Sequence, residues 1–245
     1  MTTDEDNDGI RDDCEYQLAY QFRPQVARNN HDESPEKEPY WSVTRIDGTV
    51  TGIKIFYAFS FYRDEGDHYL QTGSHHGDSE FVILEVKNNM DNSNYRMWQL
   101  DYATLSAHWN AGIADNTARY AFNDLEYPSG YRRRPRVWSS YNKHANYRSK
   151  AVCNGVLNDE CTTTFSGTVY DDLEVLSSAN IGNQYNRTPD VPYWIKNCVG
   201  SRNPDFGLHG TECFWAIEEF AGWTPYYTGQ NRSTGYFAML YAYRF

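Results

Sequence analysis

The chain has 245 residues, enough for one large domain with a sizeable core. A formal net charge of -11 at pH 7 excludes a nucleic-acid backbone as the main partner, because phosphate binding needs a basic footprint. No run of about 18 apolar residues exists, which excludes a transmembrane helix. An aromatic fraction of 16% favours β structure, since aromatic rings fit half-buried pleated surfaces.

Residues 4 to 15 read Asp4-Glu5-Asp6-Asn7-Asp8-Gly9-Ile10-Arg11-Asp12-Asp13-Cys14-Glu15. This is a full twelve-residue calcium-loop pattern. Oxygen ligands fall at Asp4, Asp6, Asp8, Asp12 and Glu15, the carbonyl of Ile10 fills loop position 7, and Gly9 makes the sharp turn. The alternative is an acidic tail without order. Calcium here would staple the N-terminus, because a cation held only by the folded loop adds to folding free energy. No apolar leader precedes the loop, as Met1-Thr2-Thr3 runs straight into acid.

A short helix over 16–22 follows, with Leu18, Ala19 and Phe22 on one face and Pro24 as its stop. Residues 28–39 read as a polar linker in which His31 is solvated. Strand-like segments then follow at 40–46, 50–62, 79–88, 95–108, 117–122, 135–141, 168–176, 213–220 and 234–244. Helical readings are weaker and fall at 105–113 and 180–185. Many short strands with irregular connections predict an all-β fold, a β-sandwich. The expected division is a calcium loop and helix over 1–27 and a β-sandwich domain over 28–245. The final run, Gly235 to Phe245, reads as a core strand and not as part of a membrane barrel, for want of lipid-facing alternation elsewhere.

Among five cysteines, Cys153 with Cys161 and Cys198 with Cys213 have the spacing of local staples, leaving Cys14 over. Disulfides imply an oxidising compartment, hence a secreted or extracytoplasmic protein.

The chemically richest stretch is His75-His76-Gly77-Asp78-Ser79-Glu80, set between the aromatic run 53–62 and the apolar run 81–86. Two strands with hard ligands at the exit of the loop between them suit a divalent cation: Ca2+, Mg2+ or Mn2+. Asp64 and Asp67 lie shortly before it. The alternative is a polar loop whose carboxylates only cap turns. Arg132, Arg133, Arg134 and Arg136 make a basic patch, read either as a contact for an anionic headgroup or, more simply, as a solvated loop pairing with local acids. Trp194, Trp215 and Trp223 are read as core residues in preference to a sugar-stacking surface. Serine-nucleophile, P-loop and dinucleotide motifs are absent.

Phe61-Tyr62-Arg63-Asp64 followed by Gly73 through Glu80 resembles the necrosis- and ethylene-inducing-like proteins, whose heptapeptide is G-H-R-H-D-W-E. It is closer still to the bacterial and fungal H-x-G-D-W-E proteins, related to a vacuolar-sorting-associated family. His75 to Glu80 fits that motif with Ser79 in place of Trp, and Asn142 to Tyr147 resembles the S-H-A-S-Y-like element downstream. The N-terminal loop resembles a thrombospondin type 3 or EF-hand calcium repeat.

The family resemblance implies a lectin- or actinoporin-like sandwich. It also implies a cation site at Asp64, His75, Asp78 and Glu80 that assists contact with sphingolipid sugar headgroups. His144 either binds that ion, supports a residue that does, or is a buried histidine bonded to backbone. Three functions follow as expectations. One is a secreted cation-dependent module that binds glycan or lipid headgroups, with a cytolytic, toxin-like variant. The next is a metal-dependent hydrolase of sugar or phosphoester bonds, with His75, Asp78, Glu80 and His144 as catalytic candidates. The last is a structural module with stabilising calcium alone.

Overall fold

The computed structural model describes residues 3–4, 9–32, 39–46, 51–64, 75–89, 97–107, 118–129, 133–156, 159–161, 168–177 and 180. The expected strands at 213–220 and 234–244, the pair Cys198 and Cys213, and Trp194, Trp215 and Trp223 lie outside the described residues.

Helix α1 spans Asp12–Phe22. It opens on Asp12, Asp13 and Glu15, whose charges oppose the positive end of the helix dipole. It stops at Phe22 because Arg23 precedes Pro24 and is forced into extended backbone (φ -47°, ψ 129°). Glu15, Leu18, Ala19 and Phe22, spaced as one helical face, are buried. The helix begins earlier than its apolar spacing predicts, since the first turn is polar.

Two sheets follow. Strands β2 (Tyr40–Arg45), β3 (Gly52–Asp64), β4 (His75–Asn89), β5 (Met97–Leu105) and β6 (Ala118–Ala121) form an antiparallel meander in chain order. Strands β1 (Gln25–Asn29), β7 (Arg136–Ser139), β8 (Asn146–Tyr147) and β9 (Thr168–Asp172) form the other sheet, in the order β8-β7-β1-β9. There β1 runs parallel to β7 and antiparallel to β9. Val26 and Val137 of this sheet join Ile55, Tyr57, Val82 and Leu84 of the meander and Phe22 of α1 in one hydrophobic cluster. The fold is therefore the expected all-β sandwich, with the helix packed into the same core. Residue 27, where the N-terminal segment was expected to end, lies within β1.

Strands β3 and β4 dominate the core because both of their faces are buried. Tyr57, pairing with Val82, and Ile55, pairing with Leu84, occupy one face; Phe56, pairing with Ile83, occupies the other. All six are essentially inaccessible to solvent. Burial on both sides explains why these strands read as continuous apolar runs instead of alternating ones. The structure extends β4 four residues N-terminal to the expected start. His75–Ser79 have no apolar pattern, and their strand geometry comes from pairing with the far end of β3, where Asp64 faces His75 and Phe61 faces Asp78. Strand β1 was not expected, and its last two residues fall in the stretch read as a linker. It is short and its strand character is imposed by two neighbours distant in sequence.

Trp41 anchors β2 by donating its indole N–H to the Leu176 carbonyl at 2.7 Å. Tyr57 joins β3 to α1 through its hydroxyl, which donates to the Ala19 carbonyl at 2.7 Å. A second, smaller cluster holds Trp138, Tyr147, Cys153 and Cys161. Here the Cys153–Cys161 disulfide forms as expected, across a Cα–Cα distance of 5.8 Å, at the end of the short helix α2 (Lys150–Cys153).

Tyr57→Phe deletes one buried hydrogen bond and leaves the ring's packing intact. Urea unfolding should report a loss of about 1 kcal/mol. Replacing Cys153 and Cys161 together by Ser frees an eight-residue separation in the unfolded chain. Chain-entropy arithmetic for so short a loop gives a loss of about 2.5 kcal/mol, measured by urea unfolding against the wild type.

Candidate functional site

The residues expected to form the central site lie along one end of the β3–β4 hairpin. Of Asp64, His75 and Asp78 the structure describes the backbone, and of Glu80 the side chain as well. Asp64 and His75 are direct cross-strand partners on β3 and β4. Asp78 pairs with Phe61, and Glu80 with Phe59. Phe61 in turn carries the link to His144, 83 positions later: the two rings stack at 3.7 Å between centroids with 5° between planes. The structure thus brings His144 to the register position of Asp78.

His144 gets there through a tight turn between β7 and β8. Its backbone N–H donates to the Ser140 carbonyl at 3.0 Å, and the Ser140 N–H donates to the Ala145 carbonyl at 2.9 Å. Such a turn needs left-handed backbone, supplied by Asn142 (φ 67°) and by His144 itself (φ 58°). Asn tolerates this conformation locally, whereas a histidine held in it costs energy that the surrounding packing must offset. The imidazole is fully buried, and its Nε2 lies 3.4 Å from Oδ1 of Asp32, a carboxylate itself 3% exposed. Asp32 sits in the turn after β1 and had been read as part of a polar linker. No sequence signal marks it, because its burial depends on β1 joining a sheet. His31 beside it is exposed, as expected.

Glu80 is buried at 2% exposure. The hydroxyl of Ser106, just past β5, contacts its Oε2 and also lies 3.1 Å from the Phe81 carbonyl. The Phe81 N–H donates to Ser106 Oγ at 2.6 Å. Ser106 has one hydroxyl proton to place. The Phe81 carbonyl already accepts from the Ser106 N–H at 3.1 Å and from Asn146 Nδ2 at 3.3 Å, which fills both lone pairs. The hydroxyl proton therefore goes to Glu80. Asn146 belongs to β8, and its own N–H donates to the Ser106 carbonyl at 2.8 Å, so the same knot ties the two sheets together. Tyr147 stands next to it, donating its hydroxyl to Asp159, and Lys143 Nζ lies 3.4 Å from the same carboxylate. Burial, and then the hydrogen bond to Asp159, pushes the Tyr147 phenol far above its ordinary range, so it stays neutral.

At the N-terminus, Asp6 and Asp8 lie outside the described residues. Gly9 adopts φ +85°, the conformation that the sixth position of a calcium loop requires. Its N–H donates to Asp4 Oδ2 at 3.1 Å. Asp4 Oδ1 is buried without a hydrogen-bond partner. Ile10 is buried, and α1 starts at Asp12, so the loop leads straight into a helix. Glu15 departs from the simple pattern: it is wholly buried, and its Oε2 accepts from Asn180 Nδ2 at 2.9 Å. Among the described residues, no group of three or more His, Cys, Asp or Glu side chains is arranged to hold a metal ion.

Of the basic patch, Arg132 lies outside the described residues, and the other three bind protein groups instead of forming a solvated loop paired with local acids. Arg134 is buried, donating to the Arg23 carbonyl at 3.0 Å and pairing with Asp172. Arg136 binds Gln25 Oε1 at 3.0 Å and lies over the Tyr170 ring. Arg133 is exposed and reaches Gln21 at 3.3 Å. Cys14 is a free, exposed thiol. No helix among the described residues is long and apolar enough to cross a membrane.

No protein-family model matches the sequence, and no curated protein matches it. Among solved structures the chain is similar to NLPPya in complex with glucosamine and in complex with mannosamine, each at 14% identity and TM-score 0.33, covering 60% of this chain and 71% of that one. It is also similar to a structure described as "Toxin fold for microbial attack and plant defense", at 17% identity and TM-score 0.35, covering 68% of this chain and 76% of that one.

Proposed function

We propose that the protein is a secreted, divalent-cation-dependent module that binds glycan or lipid headgroups and, through them, damages the membrane that carries them. One observation carries this reading. Residues that the family resemblance assigns to a single site lie along one end of the β3–β4 hairpin, Asp64 opposite His75 and Asp78 opposite Phe61, and His144 stacks on that phenylalanine. Oxygen and imidazole groups suit Ca2+, Mg2+ or Mn2+, with Asp64, His75, Asp78 and Glu80 as the residues to hold the ion. Glu80 fits a buried ligand, since its carboxylate is already oriented by a hydroxyl. A cation also answers the charge problem: a protein of net charge -11 repels anionic headgroups unless a positive centre bridges them. The Cys153–Cys161 bond accords with an oxidising, extracytoplasmic setting.

His144 is wholly buried with one ring face against Phe61, which favours a supporting role over that of the acid or base in the hydrolase reading. Its role in this proposal is to shape the site from behind.

The N-terminal loop is proposed to hold a separate calcium ion that stabilises the fold. The buried Asp4 Oδ1 and the left-handed Gly9 fit that ion. Asp6, Asp8, the Ile10 carbonyl and Asp12 would be the remaining ligands, and Glu15 would join them through one oxygen at most, because Asn180 holds the other.

Vesicles containing glycosylated sphingolipid should retain the protein in co-sedimentation and leak in its presence, and EDTA should abolish both. Asp78→Asn, with an unchanged circular dichroism spectrum, should weaken retention by about tenfold or more, in keeping with the size of metal-site effects. Absence of binding to such vesicles and to soluble glycans, with cation and without, would falsify the proposal. For the loop, calcium at about 100 times its dissociation constant should add about 2.7 kcal/mol of stability. Thermal melts with and without calcium should show that increment in the wild type and lose it in Asp4→Asn.

A further inference from the structure

We infer that Ser106 is the positioning residue for Glu80, the group that sets where this carboxylate presents itself to a cation. The inference rests on the cation reading above and adds a residue outside the H-x-G-D-x-E run. Ser106 is wholly buried, so its hydroxyl has no exchange with bulk water to satisfy. Its oxygen is fixed from one side by the Phe81 N–H at 2.6 Å. The other acceptor within reach, the Phe81 carbonyl, is saturated by the Ser106 N–H and by Asn146 Nδ2. The hydroxyl therefore has a single outlet, Glu80 Oε2.

Two features make this an orienting contact and more than a filler of space. First, Glu80 and Phe81 are consecutive, so Ser106 grips the backbone at Phe81 and the carboxylate at Glu80 together. The carboxylate is thereby held relative to its own strand, the strand that begins at His75. Second, the Ser106 carbonyl accepts the N–H of Asn146, two residues beyond His144. The turn that places His144 behind Phe61 is thus registered on the same serine that orients Glu80. Partners of metal ligands act in this way, by fixing the angle and basicity of a ligand they touch.

The test is a Mn2+ titration of the full-length chain, read by the loss of the free-ion signal in electron paramagnetic resonance. The wild type, Ser106→Ala, Ser106→Thr and Glu80→Gln all carry the same N-terminal loop, so its contribution is common to them. Ser106→Ala should weaken Mn2+ binding about 10- to 100-fold, while Ser106→Thr, which restores the hydroxyl, should stay within about threefold of the wild type. If Ser106→Ala fails to fold, Ser106→Cys, a close fit in size with a weak donor, should show the same loss. Wild-type affinity in the hydroxyl-less variant, or a loss that threonine does not recover, would overturn the assignment while Glu80→Gln still weakens binding and keeps the cation reading. Mn2+ uptake that Glu80→Gln leaves unchanged would overturn the cation reading and the role of Ser106 with it.

Discussion

The carbonyl of Phe81 is the point on which the sandwich closes. It accepts from the backbone of Ser106 and from the side chain of Asn146, and so joins the residue just past β5 and the first of β8 to the middle of β4. Burial forces this arrangement. Strands β3 and β4 have both faces covered, so every polar group there must find a protein partner or cost free energy for its lost hydration. The partners come from the two chain segments that bring the second sheet alongside.

The same constraint accounts for the site. A carboxylate such as Glu80 is rarely tolerated in a core unless it is hydrogen-bonded, and the Ser106 hydroxyl meets that demand. A second polar pair lies behind Phe61, where the His144 imidazole and the Asp32 carboxylate stand 3.4 Å apart. Removing either partner would leave the other buried without its neighbour, a more costly state than losing the pair. The polar knot that holds the two sheets together therefore also holds the Glu80 carboxylate in place. The disulfide adds a local fastening nearby: Asp159, two residues before Cys161, takes the hydroxyl of Tyr147 in the strand beside Asn146.

Much of the fold was legible because burial on both faces writes itself into composition. The runs Ile53 to Phe61 and Phe81 to Val86 are apolar without alternation, and both proved to be central strands. The disulfide was legible because cysteines eight apart can meet only locally. Helix α1 was legible from Leu18, Ala19 and Phe22, although its acidic first turn was not. By contrast β1 and β8 were invisible. They are five and two residues long and gain strand form only from pairing with segments over a hundred residues away or across a tight turn. Asp32 and Ser106 escaped for the same reason, since each is an ordinary polar residue just beyond a strand, and Asn146 was marked only as part of the element from Asn142 to Tyr147.

By itself, the sequence determined the all-β class, the two central strands, the Cys153–Cys161 link and the group of ligand-type residues from Asp64 to Glu80. These follow from local chemistry: hydrophobic pattern, short cysteine spacing, and the pairing of residues on neighbouring strands. Only the tertiary structure decided which of the polar residues matter to one another. It set His144 behind Phe61, gave Glu80 to Ser106, turned Asp32 inward, and spent Arg134 on Asp172 and a backbone carbonyl. A hydrogen bond between residues far apart in the chain depends on how two sheets stack, and stacking is fixed by the whole core, so no single stretch of sequence records it.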